Sequence, residues 1–385
     1  MATVVAPPST RPSRSLGGRA RDHAGPFRHV DVVLLATTAA IVTMGLLAIY
    51  SARRRGLETA GLDPMTYVKR QGLAVLGGLV LMALVAAVDY RKLRDWAVPL
   101  FVGSLLTLVG VIAIGRTTNG TQAWFQLGGF QLQPSEFAKV ALVVMLAAVA
   151  GAGRGFLATH ELGSSLVLAA VPIGLILLQP DLGTAMVLGA ITIGLLLVAG
   201  AQPRHIAVLT LLGIVSVAVI LGTGRLEDYQ QARLTAFLDQ EGDAAYHLEQ
   251  SQIAIGSGGW DGQGYLQGVQ TNLSFVPEAH TDFIFTVVAE ELGFLGAGFL
   301  LGLYAVMAWR IWRTAHLARD LSGTLICAGV LAMLVFQVFE NVGMTMGIMP
   351  ITGIPLPLVS YGGSATMAVL LALGLVQNVH MRRLA

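Results

Sequence analysis

Ten apolar stretches, separated by polar loops, divide the chain. A helix that crosses a bilayer needs about 20 mostly apolar residues, and each stretch approaches or exceeds that length. They lie at 30–50, 72–89, 96–115, 135–152, 162–179, 182–200, 205–223, 283–309, 322–346 and 363–381. The pattern predicts an all-α integral membrane protein of about ten transmembrane helices, forming a single domain over 30–385.

The placement of lysine and arginine predicts the orientation, because cytoplasmic loops are enriched in both. With the N-terminus in the cytoplasm, the cytoplasmic segments hold 15 of these residues and the outer segments hold 8. Both termini are then cytoplasmic. The first outer loop runs against the bias, since it carries Arg53, Arg54 and Arg55. Residues 1–29 have no apolar core, so we interpret them as a disordered cytoplasmic tail and not as a signal peptide.

Composition narrows the classes of function. The chain is 55% hydrophobic and 12% charged, with a net charge of +2. The positive charge is scattered, which argues against a nucleic-acid partner and leaves membrane lipids as the surroundings. The sequence contains no phosphate-binding loop, dinucleotide fingerprint or nucleophile elbow.

One outer segment, 224–282, precedes the eighth span and is too long for a simple connection. It is also too rich in aromatic residues for a solvated linker. Its aromatic residues are Tyr229, Phe237, Tyr246, Trp260, Tyr265 and Phe275. We expect a folded extracytoplasmic loop that carries function.

Glu136 and Lys139 stand at the outer start of the fourth span. Their i, i+3 spacing places them on one helical face, where opposite charges can pair. Ionisable residues at membrane depth are candidates for function. The pair either lines a polar cavity or serves packing alone.

Asp282 ends the long loop at the entry to the eighth span, close to Glu278 and His280. Partial desolvation raises the pKa of a carboxylate toward the range of a general base. The alternative is an ordinary helix cap, formed by Thr281 or Asp282. No second histidine stands at metal-ligand spacing from His280, so a zinc site is not predicted.

The last outer segment, 347–362, contains three prolines that exclude a regular helix. Ser360, Tyr361, Gly362, Gly363 and Ser364 then lead into the last span. Hydroxyls and backbone N–H groups at such a helix start suit a phosphate. An ordinary Gly/Ser cap is the alternative. These residues alone fit either an enzyme that acts on a lipid-linked substrate or a transporter.

Six ordered motifs closely resemble the SEDS family (shape, elongation, division and sporulation proteins). They occupy 133–139, 179–184, 250–259, 277–285, 290–293 and 357–364. Within the family the sequence is more similar to the elongation type, RodA, than to the division type, FtsW, because 351–355 matches the RodA form. It departs from the family at Ala123, where members often carry arginine.

The resemblance implies a peptidoglycan glycosyltransferase of the bacterial cytoplasmic (inner) membrane, acting on its extracytoplasmic face. Such an enzyme polymerises lipid II into β-1,4 glycan strands for cell-wall elongation and cell shape, and it works with a class B penicillin-binding protein. The family's loop aspartate corresponds to Asp282, which would be the catalytic base of an inverting displacement. The alternatives are a lipid II flippase and a non-catalytic scaffold of the cell-wall machinery.

The resemblance and the local chemistry together define a candidate substrate site for lipid II and the nascent glycan strand. Its members are Trp124, Glu136, Lys139, Glu278, His280, Ser360, Tyr361, Gly362, Gly363 and Ser364. A divalent cation, Mg²⁺ or Mn²⁺, is a further candidate for stabilising the diphosphate, with Glu278 or Asp282 as its ligand. No cofactor is required by the sequence.

Overall fold

The computed structural model describes residues 29–118, 121–127, 130–151, 157–222 and 243–383. Nearly all of the expected cytoplasmic tail and the first third of the long loop, up to residue 242, lie outside these residues. The tail and the domain boundaries therefore stay predictions.

Helices dominate the chain, and every predicted span overlaps one of them. The helices are α1 (Val32–Thr59), α2 (Thr66–Ala87), α3 (Tyr90–Asp95), α4 (Ala97–Ile114), α5 (Pro134–Ala150), α6 (Thr159–Leu177), α7 (Leu182–Val198), α8 (Pro203–Gly222), α9 (Asp243–Ser257), α10 (Val269–Asn272), α11 (Ile284–Leu317), α12 (Leu321–Thr345) and α13 (Gly363–Met381). Within the described residues, seven are long and apolar enough to cross a membrane. This confirms a multi-pass helical fold, while the count of ten spans stays a prediction.

A small antiparallel sheet occupies the loop between α4 and α5, which the sequence pattern did not predict. Its strands are β1 (Arg116–Thr118), β2 (Thr121–Leu127) and β3 (Phe130–Leu132), in the order β1-β2-β3. Trp124 pairs with Arg116, and Phe125 pairs with Leu132. β1 and β3 have only three residues each, and the seven residues of β2 do not alternate strictly between apolar and polar, so only the pairing reveals the sheet.

Polar contacts show that the loops lie on two opposite faces of the helix bundle. On one face, Arg310 forms an ion pair with Asp31, at 2.7 Å, and Tyr90 donates a hydrogen bond to Asp320. The loops on this face are those that we predict to be cytoplasmic. On the opposite face, Leu47 of α1 and Tyr67 of α2 contact the 263–282 segment, and Ser360 contacts Thr281. Ser364 contacts Gln131 just before α5, and Gln133 contacts Asp181 just before α7. The candidate site lies on this second, outer face.

The proline-rich segment before α13 folds into the bundle instead of lying on its surface. Ile351, Ile354, Leu356 and Val359 are at most 3% exposed. Gly45 of α1 permits this approach, because a Cβ there would lie 2.7 Å from the carbonyl oxygen of Leu358. The hydroxyl of Tyr304 donates to the carbonyl of Pro357 at 2.5 Å. The loop is therefore a packed part of the core.

Helix α11 is broken at Gly293, whose φ of 65° and ψ of −166° are not helical. A Cβ at this position would lie 2.3 Å from the backbone nitrogen of Gly262. Glycine is thus required both by the left-handed φ and by the close approach of the long loop. Next to the break, Glu290 accepts hydrogen bonds from the backbone N–H groups of Gln270 and Thr271. The second half of the long loop is thereby fixed to α11.

Candidate active site on the outer face

Asp282 lies in the turn that leads from the long loop into α11, and its side chain is half-buried. The helix begins at Ile284 with Phe283 as its N-cap residue and no side-chain capping bond. The hydroxyl of Thr281 donates to Glu278 instead. Neither Thr281 nor Asp282 therefore serves as the N-cap. The turn is held from below by Asn341, whose amide donates to the carbonyl of Asp282 at 2.8 Å.

The 360–364 segment joins the Asp282 turn to the start of α5. The hydroxyl of Ser360 donates to the carbonyl of Thr281 at 2.6 Å. The hydroxyl of Ser364 donates to the carbonyl of Gln131 and accepts from the backbone N–H of Gln133, both at 3.0 Å. These serine hydroxyls are therefore structural links between the two halves of the site. A phosphate at this helix start stays a prediction and would depend on backbone N–H groups.

Gln71 of α2 fixes the same segment from its other side. Its side-chain amide donates to the carbonyl of Ser360 and to the hydroxyl of Thr366, and its oxygen accepts from the backbone N–H of Gly362. Gln71 is only 2% exposed. A buried amide satisfied in this way holds the 360–362 backbone in one position. Sequence analysis missed this residue, because a lone glutamine in an apolar run has no recognisable pattern.

Glu136 and Lys139 form the predicted ion pair within α5. The ammonium of Lys139 lies 2.7 Å from the Glu136 carboxylate, and both residues are 2% exposed. The second carboxylate oxygen of Glu136 is buried and has no hydrogen-bond partner. Pro134 in the first turn starts the helix and brings the pair one to two turns below Gln133.

A second carboxylate, Asp181, lies beside this pair and was not predicted as a site residue. It caps α7 by accepting from the N–H and the hydroxyl of Thr184, at 2.9 and 2.8 Å. The amide of Gln133 reaches it at 3.5 Å. Burial raises the pKa of Asp181, and the Glu136 carboxylate raises it further, while Thr184 and Lys139 oppose the change. Lys139 thus acts on two carboxylates, Glu136 and Asp181.

Aromatic rings surround His280 on the side of the site away from Lys139. Its ring lies 5.1 Å from that of Tyr67 and 5.7 Å from that of Tyr361. The backbone N–H of Tyr361 donates to the carbonyl of His280 at 2.9 Å. Burial, followed by the charge of Arg53, lowers the pKa of His280 to about 4, while Glu278 acts in the opposite direction. His280 is therefore neutral at physiological pH.

Two contacts along α1 indicate how deep in the helix bundle Asp282 lies. Ser51 donates to the buried carboxylate of Glu291, whereas Gly45 packs against the turn at Leu358 and Val359. The six residues between them correspond to about 9 Å along the helix. The 358–360 turn holds Thr281, so Asp282 lies deeper in the bundle than Glu291. Asp282 thus occupies a recess, where a carboxylate is partly shielded from water.

The remaining predicted residues, Trp124 and Glu278, lie on segments that precede α5 and α11, respectively. Trp124 is half-buried on β2, in the sheet that leads through β3 to Gln133. Ala123, next to it, is 1% exposed. Glu278 is exposed and has a left-handed φ of 50°, a strained conformation that is frequent in functional loops. Among the described residues, no group of three or more His, Cys, Asp or Glu side chains is placed to hold a metal.

Comparison with known proteins gives consistent relationships. The family model for FtsW, RodA and SpoVE, described as cell cycle protein, matches residues 31–384. The chain is 38% identical to the peptidoglycan glycosyltransferase MrdB of Escherichia coli, covering 92% of this chain and 94% of that protein. It is 35% identical to the peptidoglycan glycosyltransferase RodA of Treponema pallidum, covering 92% and 98%. It is also 34% identical to a probable FtsW of Geobacter metallireducens, covering 91% and 95%.

Solved structures show the same fold. A chain from a peptidoglycan synthase complex that coordinates polymerization and crosslinking superposes with a TM-score of 0.77 at 37% identity, covering 92% of this chain and 98% of that one. Rod shape determining protein RodA of Thermus thermophilus superposes with a TM-score of 0.70 at 35% identity, covering 92% and 98%. The resemblance carried by the six motifs is thereby confirmed over almost the whole chain. This protein belongs to the FtsW/RodA/SpoVE family of cell cycle proteins, the SEDS family.

Proposed function

We propose that this chain is a peptidoglycan glycosyltransferase that polymerises lipid II into β-1,4 glycan strands, with Asp282 as its general base. The recessed position of Asp282 is the observation that carries the proposal. Its turn is fixed by Asn341 and Ser360, so the backbone that carries the carboxylate has a defined position. The names of the glycosyltransferase relatives supply the reaction class.

The reaction joins the 4-hydroxyl of an acceptor sugar to the anomeric carbon of a donor sugar. Asp282 accepts the hydroxyl proton as the new C–O bond forms. The bond between the donor sugar and its diphosphate breaks, and lipid diphosphate leaves with the electron pair. A single displacement inverts the anomeric centre and gives a β link. Diphosphate is a good leaving group, so a second carboxyl acting as an acid is not required, in contrast to most glycosidases.

Lys139 is suited to stabilise the charge that grows on the leaving diphosphate. Its ammonium is buried, where electrostatic interactions are stronger than in water. Glu136 holds it in place at 2.7 Å, and Asp181 lies on its other side. The 360–364 segment connects the Glu136–Lys139 pair to the Asp282 turn. We therefore place the donor's diphosphate between Lys139 and Asp282. Trp124 and Tyr361 flank the path of the glycan.

The proposed cellular setting follows from the relatives. The active site faces the extracytoplasmic side of the bacterial cytoplasmic membrane, where lipid II is polymerised. A class B penicillin-binding protein is the proposed partner, because a related chain belongs to a complex that couples polymerization and crosslinking. The RodA relative is 35% identical and the FtsW relatives are 34% and 35% identical, so the elongation role is proposed from the 38% identity to MrdB.

A polymerisation assay tests the function directly. Purified protein in detergent, together with its transpeptidase partner, is given lipid II, and glycan chains are separated on a gel. Wild type should form long strands, and Asp282→Asn should reduce their formation by at least about a hundredfold, as expected for loss of a general base. Asp261→Asn, an exposed aspartate in the same loop, is the matched control and should polymerise normally.

The two rival functions predict different outcomes. A flippase moves lipid II across sealed vesicles and produces no glycan, and a scaffold allows Asp282→Asn to support growth in place of wild type. Full polymerisation by folded Asp282→Asn protein would refute the role of Asp282. Absence of polymer from wild type with its partner would refute the glycosyltransferase function itself.

A further inference from the structure

Arg53, at the outer end of α1, stands over the aromatic rings beside the proposed base. Its guanidinium carbon lies 4.6 Å from the centre of the Tyr67 ring, and Nη2 donates to the Tyr67 hydroxyl at 2.9 Å. Tyr67 in turn contacts the ring of His280, two residues before Asp282. Arg53 is thereby connected through two rings to the turn that carries the base.

Among the described residues, no carboxylate is paired with Arg53. Its Nε is buried without a hydrogen-bond partner. The next residue differs, because Arg54 is paired with Glu58 at 2.8 Å. A buried donor without a partner is costly, and an anionic ligand would satisfy it.

The position of Arg53 also contradicts the rule that favours basic residues on the cytoplasmic side. On the face that we predict to be extracytoplasmic, Arg53 is available to bind an anionic ligand. His280 is neutral at physiological pH, as described above, and Tyr361 is uncharged. Arg53 is therefore the cation that contacts these rings, whereas Lys139 is paired with Glu136 in α5.

Two lipid-linked sugars must meet in the proposed reaction, and each carries a diphosphate. We propose that Arg53, supported by Tyr67, binds the diphosphate of the acceptor, while Lys139 stabilises the leaving diphosphate of the donor. This inference rests on the proposed glycosyltransferase function and assigns its two substrate positions. The 360–364 segment separates the two cations, since it contacts Gln133 on one side and His280 on the other.

The geometry favours the acceptor for Arg53. In the acceptor, the reacting hydroxyl and the diphosphate stand at opposite ends of a disaccharide. The base and the group that binds the diphosphate must therefore be separated by about that length. Two successive ring contacts, at 4.6 and 5.1 Å, separate Arg53 from His280. Lys139, in contrast, has the buried position that suits the bond-breaking end of the donor.

The test measures equilibrium binding of lipid II in the Asp282→Asn background, so that substrate is not consumed. The protein is held in phosphatidylcholine nanodiscs. Adding Arg53→Gln should weaken lipid II binding about tenfold, the effect of losing one charge-assisted contact. Arg53→Lys should weaken it about threefold, because the charge is kept and the forked donors are lost. Arg54→Gln is the matched control on the same helix and should bind as the parent does.

Inorganic pyrophosphate and phosphatidylglycerol identify the ligand. Pyrophosphate should displace lipid II from the parent at lower concentration than from the Arg53→Gln variant. An Arg53→Gln variant that loses affinity for phosphatidylglycerol nanodiscs but keeps lipid II affinity would overturn the proposal in favour of a phospholipid headgroup. Equal lipid II binding by the Arg53→Gln and Arg54→Gln variants would also overturn it.

Folding is controlled separately. If Arg53→Gln lowers the thermal midpoint of unfolding, the Arg53→Lys variant provides the test instead. A threefold loss of its lipid II affinity at an unchanged midpoint supports the proposal, and an unchanged affinity overturns it. The binding assay does not require turnover. A wild type that binds lipid II through Arg53 but forms no polymer would therefore refute the glycosyltransferase function and leave the diphosphate site standing.

Discussion

At the scale of single residues, His280 shows how burial changes the protonation of a group in the site. Its pKa of about 4 lies below the ordinary value of 6.5, first because the ring is buried and then because Arg53 is near. Between these two values, the unfolded chain binds a proton at His280 and the folded protein does not. The neutral ring therefore stabilises the fold above pH 6.5, and this contribution is lost as the pH falls toward 4.

The resulting prediction concerns the pH dependence of thermal unfolding. The midpoint of wild type should fall more steeply between pH 6.5 and pH 4 than that of His280→Gln, because the variant lacks this proton uptake. Circular dichroism of the detergent-solubilised protein measures both midpoints over the same buffers. Parallel curves for the two proteins would show that His280 takes up its proton equally in the folded and unfolded states.

Lys139 offers a second prediction at the same scale, because its removal leaves Glu136 buried without its partner, close to Asp181. Breaking a buried pair by losing one member typically costs about 3–5 kcal/mol. Lys139→Met should therefore lower the free energy of unfolding by that amount. The double variant Glu136→Gln/Lys139→Met should recover most of the stability, since no unpaired charge remains within the pair.

Activity separates the two interpretations of this pair. If Lys139 stabilises the leaving diphosphate, the double variant should be stable and still fail to polymerise lipid II. A stable double variant with normal polymerisation would show that the Glu136–Lys139 pair serves packing alone. Thermal unfolding and the glycan assay on the same preparations supply both measurements.

At the scale of elements, apolar length located the ten helices that overlap the predicted spans, but it missed α3, α9 and α10 and could not predict how the loops pack. The i, i+3 spacing of Glu136 and Lys139 predicted their contact, because one helix supplies both residues. The contact of that pair with Asp181 joins two different helices, so no local pattern could reveal it. The sheet at 116–132 and the burial of the 350–362 segment were missed for the same reason, since both depend on contacts between distant parts of the chain.

Gly45 makes the burial of the 350–362 segment testable. Its missing side chain lets α1 contact the backbone of Leu358 and Val359, where a Cβ would lie 2.7 Å from both. Gly45→Val should displace this turn, and with it the Ser360 contact that holds Thr281 and positions Asp282. We expect at least about a tenfold loss of polymerisation, as misplacement of a catalytic group by about 1 Å can cause a hundredfold loss.

Gly56 supplies the control for this variant on the same helix. A Cβ there meets no atom within 4 Å, so Gly56→Val should keep nearly full activity. Membrane insertion should be equal for both variants, as judged by their yield in the membrane fraction. Normal polymerisation by Gly45→Val would show that the turn does not position the base.

At the scale of the whole molecule, sidedness decides whether the proposed site faces its substrate. The contacts place the 51–67 and 263–282 segments together on one face and the loops around Asp31 and Asp320 on the other. These contacts define two faces but do not show which of them is cytoplasmic. The bias of lysine and arginine assigns the second face to the cytoplasm, and Asp282 is then accessible only from outside.

The single cysteine makes this assignment measurable. Cys327 is fully buried and should not react with a membrane-impermeant maleimide, so each introduced cysteine reports on its own position. In right-side-out vesicles, Asp63→Cys and Asp261→Cys should be labelled directly, whereas Asp95→Cys and Arg319→Cys should be labelled only after the membrane is opened. Direct labelling at 95 and 319 without labelling at 63 and 261 would invert the topology. It would place Asp282 on the cytoplasmic side and exclude polymerisation of lipid II on the outer face.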